Sequence, residues 1–391
     1  MQDLVIVGGG FAGIWAAMSA AGAAACAPEK LRITLISRDP YLTNRPRLYE
    51  GNPRGLRDPF LPILDKIGVT FQMGSVSGID AARRAVSLTA AAPLRYDTLI
   101  LTAGSVLSPF RVSGGAHGFN IDSYKGALAL DDHLRAILAD PDAPGHNTFV
   151  LVGAGFTGIE LATEMRARIA AHSTSRIAQR ASLVLVDCAP TLSPQLGANP
   201  RPHIEAALEK ARVEVRLGQR IARMDAQGIT FDSGERLAVC TVIITTGLAA
   251  SPLTGELSTA CDALGRLPVD ETLHVQGVNH VFAAGDVAHA HVDDDHLALM
   301  SCQHAETMGK FAGYNAAREM LGLTLRPYRQ PRYVTCLDLG ASGALFTSGW
   351  ERTVKMCGAE AKALKSMIVT DGIALPDGDR AGIFAAARPP S

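Results

Sequence analysis

An apolar strand, a glycine-rich turn and an alanine-rich helix occur in that order twice along the chain. This repetition predicts an α/β fold of two doubly wound units plus a small C-terminal α+β region. The first copy is Val7-Gly8-Gly9-Gly10-Phe11-Ala12-Gly13, behind the strand Leu4–Val7. The second is Val152-Gly153-Ala154-Gly155-Phe156-Thr157-Gly158, behind Phe149–Val152. Composition agrees: 47% hydrophobic and 19% charged residues, with 38 glycines in 391 positions, describe a globular chain rich in tight turns. A chain of this length has room for two or three domains, each with an ordinary core.

The spacing of the glycines has a chemical reason. In G-x-G-x-x-G the first glycine makes the turn, the second lets backbone approach a pyrophosphate, and the third lets helix and strand pack closely. The pyrophosphate then rests on the free N–H groups of the helix N-terminus. One such motif is weak; two in strand–turn–helix context predict two Rossmann-like dinucleotide-binding domains, with electrons passing between two dinucleotides.

The elements follow in order. Residues 1–37 read as strand Leu4–Val7, helix Ile14–Cys26 and strand Ile33–Ile36, and the Pro- and Arg-rich stretch Asp39–Pro62 reads as irregular. Strands are expected at Val69–Val76, Ala85–Leu88 and Asp97–Leu101, the last ending in the turn Thr102-Ala103-Gly104, where backbone can lie against a ligand. Apolar spacing over 128–138 predicts a helix. The second β–α–β closes with Leu183–Val186 and Asp187. Strands Glu214–Arg216, Ile229–Phe231 and Val239–Ile244 follow, the last reaching Thr246-Gly247. Next come a strand at Val281–Ala284 ending in Gly285-Asp286, a helix from Ser301 to Leu321, a strand Tyr333–Leu339 and a helix Ala359–Met367. The Pro- and Gly-rich end is expected to fray.

A formal net charge of −1 argues against nucleic acid and against an electrostatic hold on an anionic membrane. Seven cysteines (Cys26, Cys188, Cys240, Cys261, Cys302, Cys336, Cys357) form no C-x-x-C pair and read as reduced thiols. The uncharged run Ala12–Ala27 lacks a basic leader and follows the glycine turn, so it reads as a helix rather than a signal peptide. No span approaches the ~20 apolar residues of a membrane helix. The expected place is the cytoplasm, peripheral at the inner face of the membrane at most.

The order of glycine turn, Thr-Ala-Gly, glycine turn, Thr-Gly and Ala-Ala-Gly-Asp resembles the two-dinucleotide-binding-domain flavoproteins, and most of all the type II NADH dehydrogenases (NADH:quinone oxidoreductases) within the FAD-dependent pyridine nucleotide-disulfide oxidoreductase superfamily. The resemblance covers almost the whole chain. It implies FAD on Gly8, Gly9, Gly10, Phe11, Ala12 and Gly13, with Val76 at the adenine, Ala103-Gly104 against the ligand, and Gly285-Asp286 on the ribityl or phosphate side. It implies NADH on Gly153, Gly155, Phe156, Thr157 and Gly158, with the turn at Gly247. The division it implies is 1–118 and 256–325 for the FAD-binding domain, 119–255 for the NAD(H)-binding domain and 326–391 for the C-terminal region.

A carboxylate about 20–30 residues beyond the third glycine commonly binds the ribose hydroxyls. Asp187 fills that place in the second domain with no arginine behind it, so NADH is expected over NADPH. In the first domain Ser37 stands there, and Arg38 or Arg45 is set to meet a phosphate instead.

Disulfide reductases of the superfamily carry a C-x-x-x-x-C pair near the flavin, and the stretch Arg45–Glu50 has none. No cysteine lies between Cys26 and Cys188, which disfavours the sulfide:quinone reductase pattern. The resemblance matches Gln303 to the first glutamine of an A-Q-x-x-x-Q stretch, with Thr307 at the second, and Glu160 to the glutamate used near nicotinamide and quinone. Glu160 also has an ordinary reading, as a carboxylate at a helix N-terminus. Cys302 and Cys336 are candidate thiols beside the flavin, against the alternative of inert packing. His289-Ala290-His291-Val292-Asp293 could converge on a metal if extended, but reads first as a solvated loop, and no metal is expected. Only Phe384 follows Trp350 among the aromatics, so a membrane-anchoring tail looks absent.

The leading expectation is an FAD-dependent enzyme taking hydride from NADH and passing two electrons to a quinone-like acceptor. A related NADH-dependent flavoenzyme acting on another small substrate or on oxygen, a sulfide:quinone reductase-like enzyme, and a redox-sensing binding module are the alternatives. The assembly state is left open, a homodimer included.

Overall fold

Residues 1–390 are described by a computed structural model, in which each glycine turn ends an inner strand of a parallel sheet. The first sheet runs Val281–Ala283, Thr98–Leu101, Gln2–Val7, Leu31–Ser37, Thr70–Met73 across its width. Register sets Val7 level with Ile36 and Leu101, so Gly8, Ser37 and Thr102 emerge together on one edge. The second sheet runs Val213–Arg216, Ser182–Val186, Thr148–Val152, Thr241–Ile244, with Val152 level with Val186 and Ile244. The inner strands are apolar and buried along their length because helices or other elements cover both faces. Strand order reverses at each glycine turn, which is where such sheets open a crevice for a ligand.

Antiparallel three-stranded sheets are built into both crossovers: Val76–Asp80, Ala85–Leu88, Ala91–Arg95 in the first, and Ile221–Asp225, Gly228–Phe231, Arg236–Ala238 in the second. The single strand expected over 69–76 is therefore split at Gly74-Ser75 between two sheets. The stretch 39–62 is less irregular than its composition suggests. Tyr41–Thr43 pairs with Arg57–Pro59, and the Arg57 guanidinium lies over the rings of Tyr41 and Tyr124, at 4.4 and 4.5 Å.

Helix Cys302–Met320 lies along helix Phe11–Ala23 at backbone contact. A Cβ placed on Gly309 would sit 2.3 Å from the Ala12 carbonyl oxygen, and one on Gly313 would sit 2.1 Å from that of Ala16. Glycines four apart on one helix and alanines four apart on the other form two facing smooth stripes. Ser19 Oγ adds a hydrogen bond to the Lys310 carbonyl at 2.7 Å.

The C-terminal strands Val334–Asp338, Ala344–Ser348 and Thr353–Cys357 form an antiparallel sheet backed by helix Gly358–Met367. Leu337, Leu339 and Leu345 join the core of the second domain, whereas Val369, Ile373 and Ile383 join that of the first. The frayed end expected from composition is instead helix Arg380–Ala386, capped by Asp379. It forms because Ile383 and Ala387 bury against the first domain and the Phe384 ring closes over Gly22. Among the described residues no helix is long and apolar enough to cross a membrane.

Replacing Gly313 by valine is expected to destabilise the protein by about 3 kcal/mol or more in urea unfolding, because the backbones must part to admit the side chain. Gly51, whose Cβ position is open space, is the control: Gly51→Ala should change stability by less than ~0.5 kcal/mol.

Candidate active site

Both glycine turns are built to one pattern. Gly8 and Gly153 take φ of +117° and +106°, in the region that favours glycine. A Cβ on Gly13 would meet the Gly8 carbonyl oxygen at 1.7 Å, and one on Gly158 would meet that of Gly153 at 1.8 Å. A threonine pins each turn from the adjacent strand. Thr102 Oγ1 donates toward the carbonyls of Val7 and Gly8 at 2.8 and 3.1 Å, and Thr245 Oγ1 toward those of Val152 and Gly153 at 2.9 and 3.1 Å. Sequence reading took Thr102 as part of a turn and passed over Thr245. The signal that could have found them was their matching position, one residue beyond each domain's next apolar strand.

Neither helix has a side-chain cap: Gly10 and Gly155 stand at the N-cap with no such hydrogen bond. The orphan N–H groups of each first turn are therefore available to an anion. The space a Cβ on Gly10 would fill is open, and on Gly155 it is bordered only by the Gln195 amide at 3.4 Å. Both cradles fit a dinucleotide pyrophosphate.

Further groups gather at the first cradle. Gly285 packs on the first turn of the helix, where a Cβ would stand 2.9 Å from Ala12 Cβ, and this brings Asp286 to the cradle. The Asp286 carboxylate accepts from Ser105 Oγ at 2.6 Å. Burial raises its pKa against the pull of Ser105 and Arg45. Arg45 lies 3.8 Å from Asp286 and 2.6 Å from Asp122, so it belongs to an ion-pair cluster as well as to the cradle. Gly104 takes φ +68° and its carbonyl accepts from Ser251 N. Ser37 lies under Gly9, Arg38 is exposed beyond it, and Val76 starts the crossover sheet opposite Leu88. At the second cradle the Asp187 carboxylate accepts from Ala154 N at 2.6 Å and Ala189 N at 2.8 Å. Phe156 is half-buried, Thr157 is exposed, and Gly247 is exposed at the strand end with φ +85°.

Glu160 is not a solvated helix-terminus carboxylate. It is buried, and its Oε1 accepts from Lys365 Nζ at 2.8 Å and Asp338 N at 3.0 Å. Lys365 Nζ donates to the Cys336 carbonyl as well. Burial pushes the Glu160 pKa up, against the opposing pull of Lys365. Burial lowers that of Lys365, but the Glu160 charge prevails and the net shift is upward. Beside them Asp338 takes both oxygens to Lys362 Nζ at 2.6 Å and accepts from Tyr49 Oη at 2.8 Å. The sequence named Glu160 and missed its partners, because Lys365 and Asp338 lie about 200 residues away in the C-terminal region.

The start of helix Cys302–Met320 sits between these groups: Cys302 feels the charges of both Lys365 and Asp286, and burial raises its thiol to about 11. Cys336 is buried in its strand and burial raises it to about 11 too. Burial thus disfavours the thiolate at both positions. The Gln303 amide is taken up by the backbone of Val334, donating to its carbonyl at 3.2 Å and accepting from its N–H at 3.4 Å. Thr307 Oγ1 bonds back to the Gln303 carbonyl. His296, three residues beyond the His289–Asp293 stretch, stacks on Trp350 at 4.3 Å, and Trp350 on Tyr333 at 4.6 Å.

The family model of the pyridine nucleotide-disulphide oxidoreductases matches residues 2–309. An "NADH dehydrogenase-like protein" of Mycobacterium tuberculosis is 41% identical over all of this chain and 98% of that protein. A type II NADH:quinone oxidoreductase of the same organism is 31% identical over 73% of this chain and 66% of that protein. The solved structure of Plasmodium falciparum NDH2 in complex with NADH has the same fold, with a TM-score of 0.78 at 13% identity over 99% of this chain and 97% of that one.

His304 ties the stability of this region to pH. It is fully buried, its Nδ1 lies 2.9 Å from Ser301 Oγ, and burial lowers its pKa from 6.5 to about 4. A depressed folded pKa means the unfolded chain takes up the proton first, so this contribution is complete above pH 6.5 and is lost as pH falls toward 4. Urea unfolding at pH 7 and 4.5 should show wild type losing about 2 kcal/mol more than His304→Phe over that interval.

Proposed function

The chain belongs to the pyridine nucleotide-disulphide oxidoreductase family, and from that premise we propose that it is an FAD-dependent NADH dehydrogenase delivering two electrons to a small quinone-like acceptor. Its cofactors are FAD and NADH; bound FAD supplies the hydride-accepting and two-electron-donating chemistry. We assign FAD to the cradle of Gly8, Gly10 and Gly13 with Asp286 beside it. NADH is assigned to Gly153, Gly155 and Gly158 with Asp187 at the ribose. The observation that carries the reading is the run of groups from Asp286 past Cys302 to the buried Lys365–Glu160 pair, which joins one cradle to the helix that opens the other.

The chain's own residues have three tasks. The glycine turns and uncapped helices orient the two pyrophosphates. Asp187 discriminates, since a carboxylate already holding two backbone N–H groups repels a 2′-phosphate and suits ribose hydroxyls. Reducing a quinone to a quinol consumes two protons, and Glu160 with Lys365 holds one between Oε1 and Nζ where bulk water does not reach.

A second reading keeps the NADH half-reaction and changes the acceptor to oxygen or another small molecule. What favours it is that Gln303 and Thr307 are closed on backbone carbonyls rather than offered to a quinone. Sulfide oxidation lacks the necessary cysteine between Cys26 and Cys188.

Stopped-flow decides between these, with flavin reduction followed anaerobically and reoxidation followed after adding quinone or oxygen. NADH should bleach the flavin at least tenfold faster than NADPH, and Asp187→Ala should narrow that ratio to about threefold; no bleaching by either nucleotide defeats the assignment. Glu160→Gln is expected to slow reoxidation by a soluble quinone about a hundredfold while leaving reduction by NADH within about threefold. Rapid peroxide formation with no quinone response selects the oxygen reading.

A further inference from the structure

Glu160 and Lys365 are shut away from water. Their side chains are 5% and 7% exposed, so a proton given up there is not replaced by direct contact with solvent. Reduction of a quinone by NADH takes one proton from solution in every turnover, beyond the hydrogen that travels as hydride. The buried pair therefore needs a way to refill.

A row of groups around Asp338 leads from that pair to the surface. Lys362 and Lys365 stand three apart on helix Gly358–Met367, which puts both ammonium groups on one face. Lys365 is buried, whereas the Lys362 side chain is 41% exposed. Lys362 Nζ donates to both oxygens of Asp338 at 2.6 Å. Oδ1 is pinned further by Gly340 N at 2.8 Å, while Oδ2 also takes the Tyr49 hydroxyl at 2.8 Å. Oδ2 is thus the atom common to the exposed lysine and the buried tyrosine. Arg168 Nη1 holds the Tyr49 carbonyl at 3.3 Å, and the Tyr49 ring centroid lies 5.8 Å from Lys365 Nζ. Burial raises the Tyr49 pKa, and so do the charges of Glu160 and Asp338. The hydroxyl therefore keeps its proton and stands between the two carboxylates. Asp338 N, bonded to Glu160 Oε1 at 3.0 Å, ties their positions together.

We propose that Lys362, Asp338 and Tyr49 form the route by which a proton from water reaches the buried Glu160–Lys365 pair. This rests on the reading of the acceptor as a quinone whose proton comes from that pair. The transfer balances at every atom. Lys362 Nζ releases a proton to Asp338 Oδ2 and is reprotonated by water. Asp338 passes a proton to Tyr49 Oη as the proton already on that oxygen leaves toward Glu160. Each relay group ends as it began, and none is oxidised or reduced. The three act through Glu160 and do not touch the acceptor.

The test is single-turnover flavin reoxidation: protein reduced with one equivalent of NADH is mixed anaerobically with a soluble quinone, in water and in heavy water. Tyr49→Phe keeps the ring and removes the relaying oxygen. It should slow reoxidation about tenfold or more and enlarge the solvent isotope effect, with reduction by NADH within about threefold of wild type. Lys362→Met should do the same. Lys362→Arg separates relay from tie, because a guanidinium keeps the ion pair with Asp338 but does not give up a proton; it should be as slow as Lys362→Met. A readout without turnover is NMR of nitrogen-labelled lysine in the resting protein, where Tyr49→Phe should slow hydrogen exchange of the Lys365 ammonium with water about tenfold or more. Unchanged flavin absorbance and circular dichroism establish that each variant is folded. If Tyr49→Phe reoxidises at the wild-type rate, or leaves Lys365 exchange unchanged, the proposal fails, while a slow Glu160→Gln preserves the reading beneath it. If Lys362→Arg restores the rate lost in Lys362→Met, the lysine is a structural tie and the route is overturned. If Glu160→Gln itself reoxidises like wild type, the reading falls and the proposal with it.

Discussion

Backbone contact between helices Phe11–Ala23 and Cys302–Met320 is the constraint on which the rest of the site depends. Gly309 and Gly313 meet the carbonyls of Ala12 and Ala16 at distances no side chain would allow. Chain separated by nearly three hundred residues is thereby locked in one register. The same contact delivers Gly285-Asp286 to the first cradle, against Ala12 and Ala305, and fixes Cys302, Gln303 and His304 at the start of the helix. A shift of either helix would move all of these groups together, because close-packed surfaces without flexible side chains cannot absorb a displacement.

The two cradles share their turn geometry and their threonine pins, yet differ at the ribose position. Asp187 is held by two backbone N–H groups, which fixes a negative charge beside the second cradle. Ser37 leaves the first one neutral there, and charge is supplied from further off by Asp286 and Arg45. One architecture thus presents two different electrostatic settings to two dinucleotides, and the difference arises from side chains at the strand ends and not from the fold.

The C-terminal region is small but touches both domains. Its strands contribute Leu337 and Leu345 to the core of the second, and its last helix contributes Ile383 to the first. Lys365 and Asp338 close over Glu160 in between. A buried ion pair of this kind gains little over an apolar substitute, but losing one partner leaves a charge stranded. The pair therefore enforces a particular docking of the C-terminal sheet on the second-domain helix.

Local pattern alone determined a good deal. The glycine spacing, the apolar strands and the alanine-rich helices are short-range signals, and each inner strand appears within a few residues of where its pattern places it. Asp187 and Asp286 were legible for the same reason, since a strand end next to a glycine turn can point in few directions. Tertiary structure decided what no local pattern encodes. The final segment is a helix because Ile383 and Phe384 find a smooth face on the first helix, while its composition suggests fraying. Glu160 is a buried ion-paired group because Lys365, about 200 residues later, arrives beside it. Cys302 and Cys336 are open to two readings as sequence, and the burial that raises both thiols is a product of folding. Gln303 matched a motif, but its amide closes on Val334. Charge state and hydrogen-bond partner depend on neighbours brought in by folding, whereas turn and strand depend on neighbours along the chain.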